Sequence, residues 1–96
     1  MKLIFCRYCD DVVKLSRVLT SCKCGKSQGR YLEDGIHAEI NMVAVPIGMA
    51  NSTVAKGVVA YIRGNESMDC PVDAWVFKVN EPHIERVETF GEEDDV

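Results

Sequence analysis

Four cysteines near the start of the chain have the type and spacing that bind a metal ion. Cys6 and Cys9 form a Cys-x2-Cys pair, and after twelve further residues Cys22 and Cys24 form a Cys-x-Cys pair. A structural zinc ion takes four soft or borderline ligands in a closed tetrahedron, and two close cysteine pairs joined by a hairpin-length segment supply them. The pattern therefore predicts structural Zn²⁺ bound by all four thiolates. An iron centre or a redox-active dithiol is the alternative.

The same segment resembles the zinc-ribbon family. The resemblance covers about the first third of the chain and rests on Phe5-Cys6-Arg7-Tyr8-Cys9 and Ser21-Cys22-Lys23-Cys24-Gly25. It implies that each cysteine pair lies at the tip of a β-hairpin. With its segments 17–25 and 46–52, the whole chain is also similar to small bacterial and phage zinc-ribbon proteins, and this second resemblance implies no known activity.

Short strands must position the cysteines. Val12–Leu19 is rich in β-branched residues and roughly alternates, which favours a strand after the first pair. Further strands are expected at 29–33, before the turn dipeptide Asp34-Gly35, and at Ile36–Val45. Pro46–Ala50 is expected to break the last of these.

The second half of the chain is predicted to contain one helix and two strands. Asn51 or Ser52 caps a helix over residues 52–63, whose apolar side chains recur at helical spacing. Residues 73–80 alternate as the clearest strand, with Trp75 and Phe77 in the core, and residues 84–90 form an edge strand. The fifth cysteine, Cys70, is expected to be buried as a small hydrophobic residue.

These elements predict a single α+β domain. A chain of 96 residues that is 47% hydrophobic and 27% charged is globular, and small enough for a metal site to help its core. Residues 1–33 are expected to form the zinc-ribbon module, which extends into a small antiparallel sheet covered by the helix. Residues 34–90 form a strand–helix–strand–strand body, and the acidic tail at 91–96 is expected to be disordered.

The net charge of −4 is unevenly distributed. Residues 1–31 carry seven basic and two acidic side chains, whereas residues 32–96 carry four and thirteen. A basic ribbon with exposed tyrosines is compatible with nucleic-acid or nucleotide binding. The simpler alternative is that these cations offset the thiolate charge and solvate the hairpins. The candidate ligand-binding cations are Arg7, Arg17, Lys26 and Arg30.

A second candidate site combines the start of the helix with one face of the preceding strand. Free amides and the helix dipole favour an anion at Asn51, Ser52 and Thr53. The polar strand face that would complete one pocket with them carries His37, Glu39 and Asn41. An ordinary capped helix is the simpler interpretation.

No motif in the sequence identifies a catalytic centre, so the chain is predicted to act by binding. The expected function is a non-enzymatic, structural-zinc module that recognises a protein, a nucleic acid or a phosphate-bearing small molecule. If the protein is phage-encoded, this includes sequestration of a nucleotide. The alternative is a small hydrolase or thiol enzyme that uses His37, Glu39 or Cys70.

The sequence does not predict membrane insertion. The apolar run before Cys6 is too short for a signal-peptide core, and no run has the length of a membrane span. In a reducing compartment, closely spaced cysteines hold metal more often than they form disulfides. We therefore expect a cytoplasmic protein, in the host cytoplasm if it is phage-encoded, without a membrane partner. A homo-oligomer is compatible with the sequence.

Overall fold

A computed structural model describes residues 1–88 and residue 90. The predicted acidic tail, residues 91–96, lies outside this part. Among the described residues, no helix is long and apolar enough to cross a membrane. The described elements are β1 (Lys2–Cys6), β2 (Val12–Lys14), β3 (Thr20–Ser21), β4 (Gln28–Tyr31), β5 (Ala38–Asn41), β6 (Ala44–Met49), α1 (Asn51–Ile62), β7 (Ala74–Val76) and β8 (Ile84–Val87).

The strands form two four-stranded sheets, and the mixed α+β content is confirmed. The first sheet has the order β2-β1-β6-β7 and the second the order β3-β4-β5-β8. Five of the neighbouring pairs are antiparallel, whereas β5 and β8 run parallel with Ala38 opposite Ile84. The prediction of one antiparallel sheet is therefore corrected. The position of β8 at a sheet edge agrees with the expectation.

The chain passes from the second sheet to the first at Met42 and Val43. β5 ends at Asn41 and β6 begins at Ala44, so the strand predicted over Ile36–Val45 is divided between two sheets. The alternation of apolar residues continues through the turn, because Ile40 before it and Ala44 after it are both buried in the core. A sequence pattern cannot reveal such a turn.

Pro46 lies inside β6 and does not break it. It is buried and pairs with Ile4 of β1. Its carbonyl accepts a hydrogen bond from Phe77 N–H at 3.0 Å, but proline has no N–H with which to return one. Pairing between β6 and β7 consequently ends there, and β7 is shorter than the predicted strand at 73–80.

Side chains from both sheets form a small shared core. Ile4 and Ala44 come from the first sheet, and Ala38 and Ile40 from the second, with Leu15 between β2 and β3. Val13, Tyr31 and Ile84 pack against this cluster. Since alanine buries little apolar area, the hydrophobic contribution of the core is modest.

The helix α1 has nearly the predicted bounds but packs differently. Its N-cap is Ala50, which provides no side-chain cap, instead of Asn51 or Ser52. The Thr53 hydroxyl donates to Ala50 O at 2.9 Å and accepts from Asp73 N–H at 3.0 Å, which ties the first turn to the start of β7. No residue of α1 is buried, so the helix does not cover a sheet face as expected.

Trp75 lies over Gly48 at the edge of the first sheet rather than in the core. The two residues pair between β6 and β7, and a Cβ at position 48 would come within 2.6 Å of the indole atom Cζ2. Phe77 contacts the indole edge-on, with ring centroids 5.9 Å apart. The close approach of the indole, and not backbone conformation, requires glycine here.

Replacing Gly48 with alanine should therefore displace the Trp75 indole. We expect the free energy of unfolding to fall by about 1–3 kcal/mol, as at other overpacked positions. The emission of the single tryptophan should shift to the red. Denaturant titration followed by fluorescence measures both effects.

Gly57→Ala is the matched control. A methyl there would meet Cys70 Cβ at 3.4 Å, an ordinary contact. Higher helix propensity should then raise the stability by about 0.5–1 kcal/mol. Equal losses of stability in the two variants would contradict the account of Gly48.

Candidate metal centre

The four predicted ligands lie together where the two sheets meet. Cys6 ends β1 and Cys9 lies in the turn before β2, both in the first sheet. Cys22 follows β3 and Cys24 lies in the turn before β4, both in the second sheet. The four Sγ atoms all lie within 4.8 Å of one another. One ion at this position would join a hairpin of each sheet.

The spacing of the sulfur atoms fits tetrahedral coordination. Cys24 Sγ lies 3.7 Å from Cys6 Sγ and 3.5 Å from Cys22 Sγ. A regular tetrahedron with metal–sulfur bonds of about 2.3 Å has edges of about 3.8 Å. All four cysteines are free thiols, with Cys6 and Cys22 buried and Cys24 exposed. The cluster could therefore hold a metal ion close to the protein surface.

Backbone hydrogen bonds shape the first cysteine turn. Asp10 N–H donates to Cys6 O at 2.8 Å, and Cys6 N–H donates to Asp11 O at 2.9 Å. Asp10 has a φ of 60°, a left-handed conformation that aspartate adopts more readily than most residues. Tyr8 N–H donates to the Cys6 sulfur at 3.4 Å. Such a bond stabilises the thiolate, which is the form that binds metal.

The second cysteine turn repeats this arrangement on the other sheet. Gly25 N–H donates to Cys22 O at 3.0 Å, with Gly25 at a φ of 82° that glycine adopts without strain. Ser27 N–H donates to the Cys22 sulfur at 3.3 Å. Asp11 Oδ2 accepts a hydrogen bond from Lys23 N–H at 2.8 Å. This last bond connects the two cysteine turns directly.

Neighbouring groups shift the pKa values of the Cys6 and Cys24 thiols in opposite directions. Burial raises the pKa of Cys6, but the adjacent Ser27 hydroxyl and the N–H groups of Tyr8 and Cys9 outweigh burial and lower the pKa to about 6. Lys26 N–H lowers the pKa of Cys24, but burial and the three adjacent cysteines outweigh it and raise the pKa to about 12. A divalent cation would stabilise all the thiolates of the cluster together.

Ser27 is a candidate functional residue that the sequence analysis missed. Its buried hydroxyl has no hydrogen-bond partner of ordinary geometry among the described residues, yet it lies close enough to the Cys6 sulfur to lower the pKa of that thiol. A buried hydroxyl without a partner is costly, and a Cys6 thiolate is the acceptor that would satisfy it. The available signal was a serine three residues after the last ligand, Cys24.

Two of the predicted ligand-binding cations have internal partners. Arg7 Nε donates to Val43 O at 3.1 Å, next to the point where the chain changes sheets. Arg30 pairs with Glu39 at 2.7 Å across β4 and β5. These contacts favour the simpler interpretation, in which the arginines stabilise the fold.

The other two predicted cations lie at different surfaces. Lys26 Nζ lies 4.6 Å from the centre of the Tyr8 ring, beside the metal cluster. Arg17 lines a cavity of about 330 Å³ together with Arg30 and Tyr31. Arg17 and Arg30 thus lie with Tyr31, whereas Lys26 lies with Tyr8.

The polar strand face and the start of α1 were predicted to line one pocket, but their residues make separate contacts. Asn41 is buried, where it donates to Lys26 O at 2.7 Å and accepts from Gln28 N–H at 3.1 Å. His37 contacts the Asp34 carboxylate, whereas Ser52 is exposed at the helix start. The cavity beside that helix start is lined by Met1, Lys14, Tyr31, Asn51, Val54 and Ala55.

Cys70 is exposed, contrary to its predicted burial. Its Sγ accepts a hydrogen bond from Asn65 Nδ2 at 3.5 Å, in the loop that follows α1. It does not belong to the four-cysteine group.

Comparison with known proteins adds no family to this geometry. No protein-family model, curated protein or solved structure matches the chain. The zinc-ribbon resemblance therefore rests on the cysteine spacing and remains a prediction.

Replacing Ser27 with alanine should weaken metal binding. The amide that donates to Cys22 Sγ remains, but the hydroxyl beside Cys6 is lost. We expect the affinity for Zn²⁺ to fall about 10-fold or more, the usual effect of losing a hydrogen bond to a metal ligand. Competition titration against a chromogenic chelator measures this change.

Ser52→Ala, at an exposed position, is the matched control and should leave the affinity unchanged. If Ser27→Ala keeps full affinity for Zn²⁺ and gains stability, the hydroxyl is an unpaired group with no role in metal binding.

Proposed function

We propose that this protein is a non-catalytic binding module in which structural Zn²⁺ joins two sheets and whose ligand is a phosphate-bearing small molecule. The observation that carries the zinc proposal is the convergence of four sulfur atoms from hairpins of both sheets. Among the described residues, no histidine or carboxylate belongs to that group. Four thiolates complete a tetrahedral zinc shell without a position for a reacting water, which suits a structural ion.

Because the hydrophobic core is small, we expect zinc binding to contribute to the free energy of folding. Zinc binding to a site that exists only in the folded chain adds its free energy to folding, about 10–16 kcal/mol in small zinc domains. The five-residue core draws on both sheets, so the same folding event that packs it also assembles the cysteines. We therefore expect folding and zinc binding to be coupled.

The purified protein should contain one Zn²⁺ per chain. Cys22→Ser removes a buried ligand, so the variant should lose stoichiometric zinc and cooperative unfolding. Cys70→Ser, at an exposed cysteine outside the cluster, should retain both. Elemental analysis and thermal unfolding with and without a chelator test this. A melting curve that the chelator leaves unchanged contradicts the proposal, as does iron at full occupancy.

The groups required by the alternative enzyme hypothesis are engaged in separate contacts. The Asp34 carboxylate holds His37, and Arg30 holds Glu39. Cys70 lies beside Asn65 in the loop after α1. A thiol or hydrolytic mechanism needs its nucleophile and base within hydrogen-bond reach of each other. Binding is therefore the better supported activity.

The proposed ligand site is the cavity of about 350 Å³ beside the first turn of α1. Lys14 and Asn51 supply its polar lining, and Tyr31 supplies an aromatic surface. The first turn has no side-chain cap and no acidic residue, so the helix dipole and the Lys14 ammonium both favour an anion. The remaining lining is apolar. These features suit a phosphate attached to a less polar group, as in a nucleotide.

A small phosphate-bearing ligand is favoured over a nucleic acid by charge. Residues 32–96 carry thirteen acidic side chains against four basic ones, which repels an extended phosphate backbone. Arg7 and Arg30 are engaged internally. A single phosphate at Lys14 needs no such extended basic surface.

Lys14→Ala should weaken binding of both inorganic phosphate and a nucleoside monophosphate by about 10-fold or more, because it removes a charged hydrogen-bond donor worth about 1.5–3 kcal/mol. Isothermal titration calorimetry at two salt concentrations measures the effect. Lys23→Ala, an exposed lysine in the second cysteine turn, should bind like the wild type. Equal affinities of the two variants contradict this site. Oligonucleotide binding that is independent of Lys14 would favour a nucleic-acid role instead.

A further inference from the structure

Exposed apolar side chains are concentrated on α1 and the segment that follows it. Fourteen large hydrophobic residues of the described chain are exposed, and nine of them fall within residues 58–79. The most exposed are Tyr61 at 82%, Ile62 at 75%, Met68 at 74% and Val79 at 85%. Val58, Tyr61, Met68 and Val72 line one cavity, so these four lie together. A large exposed apolar patch marks an interaction site. We call residues 51–79 the α1–β7 surface.

The composition of α1 agrees with this interpretation. Lys56 is the only charged residue among the twelve of the helix, and no residue of the helix is buried. A helix that stays in contact with water normally carries a charged or polar face, whereas a helix that is apolar on all sides is normally covered. The helix thus has the sequence of a covered element, but no part of the described chain buries any of its residues.

In the part of the chain that the structure describes, β7 has a free edge at the end of the first sheet, and its start is tied to the first turn of α1. On its inner side, Asp73 O accepts from Ala50 N–H at 2.9 Å, and Phe77 N–H donates to Pro46 O at 3.0 Å. Backbone groups alternate in direction along an antiparallel strand. The N–H and C=O groups of Ala74 and Val76 therefore face away from β6.

We propose that two copies of this chain form a dimer by antiparallel pairing of their β7 strands about a two-fold axis at Trp75. In this register Ala74 lies opposite Val76 of the partner subunit. The outward N–H and C=O of each such pair can exchange both hydrogen bonds. The first sheets of the two copies then form one continuous sheet. The two Trp75 residues meet at the axis in a pair without mutual hydrogen bonds, where side chains approach most closely.

The charge of the α1–β7 surface favours a second copy of this chain as its binding partner. The α1–β7 surface carries three basic residues, Lys56, Arg63 and Lys78, against Glu66, Asp69 and Asp73, so its net charge is zero. The chain as a whole carries −4, which disfavours self-association through its acidic regions. A strongly acidic or basic partner would find no net opposite charge on this surface.

The geometry of the β7 edge also suits a second copy. Two-fold pairing requires self-complementarity, which an antiparallel strand edge provides because each copy offers the same donors and acceptors. The dimer requires no ligand, but Asn51, Val54 and Ala55 belong both to this surface and to the lining of the proposed phosphate cavity.

Val76→Pro tests the pairing directly. It removes an N–H that faces away from β6, so the hydrogen bonds within the chain remain. Sedimentation equilibrium should show a dimer for the zinc-loaded wild type and a monomer for the variant. Zinc content and the circular dichroism spectrum should be unchanged.

Ile62→Lys on α1 is a second variant that leaves β7 intact, and we expect it to raise the dimer dissociation constant at least about tenfold. Val18→Lys is its matched control, because Val18 is 74% exposed but lies outside the α1–β7 surface. A wild type that remains monomeric at high concentration overturns the proposal. Val76→Pro and Ile62→Lys variants that both dimerise like the wild type also overturn it.

Discussion

Coordination of one metal ion by sulfur atoms from both sheets is the interaction on which the rest of the proposed arrangement depends. The first sheet contributes the Cys6 turn and the second the Cys22 turn. The chain crosses between the sheets nearby, because Arg7 of the first turn donates to Val43 O in the crossing. Arg86 of β8 donates to the carbonyls on either side, Met42 O at 3.3 Å and Ala44 O at 3.4 Å. Metal ligands, crossing turn and edge strand thus stabilise one junction.

The chemistry of the cysteine cluster favours a cation at this junction. Buried thiols with several sulfur neighbours cannot all ionise without a compensating charge. The Ser27 hydroxyl and Tyr8 N–H favour the Cys6 thiolate, whereas the other sulfurs oppose ionisation of Cys24. A divalent ion would remove this conflict, and the Cys6 thiolate would then accept a hydrogen bond from the buried Ser27 hydroxyl. A closed shell of four sulfur atoms would leave no position for a further ligand, so the proposed ligand site lies elsewhere.

The cysteine group and the helix could be predicted from sequence because each depends on local spacing. Four ligands in two close pairs need only two turns to converge, and α1 needs only a run of compatible residues. The division of Ile36–Val45 between two sheets could not be predicted, because alternation is the same whether or not a strand turns at Met42. The sequence predicts that Pro46 breaks the strand, but it lies inside β6. Proline is excluded from a strand only where the neighbouring strand requires its N–H. Here, pairing with β7 ends at that point.

Several apolar residues that the sequence places in the core are exposed in the structure, and this difference has a physical cause. Hydrophobic periodicity shows that a side chain prefers to leave water, but it does not identify the surface that covers it. Trp75 and the apolar stripe of α1 were assigned to the core of this chain, yet Trp75 is 45% exposed and α1 has no buried residue. The core that did form includes Ile4, Ile40 and Leu15, and Ile4 lies two residues before Cys6. A short chain with two small sheets can enclose one such cluster. Its remaining apolar residues therefore collect at the far edge of the first sheet, where a second copy can cover them.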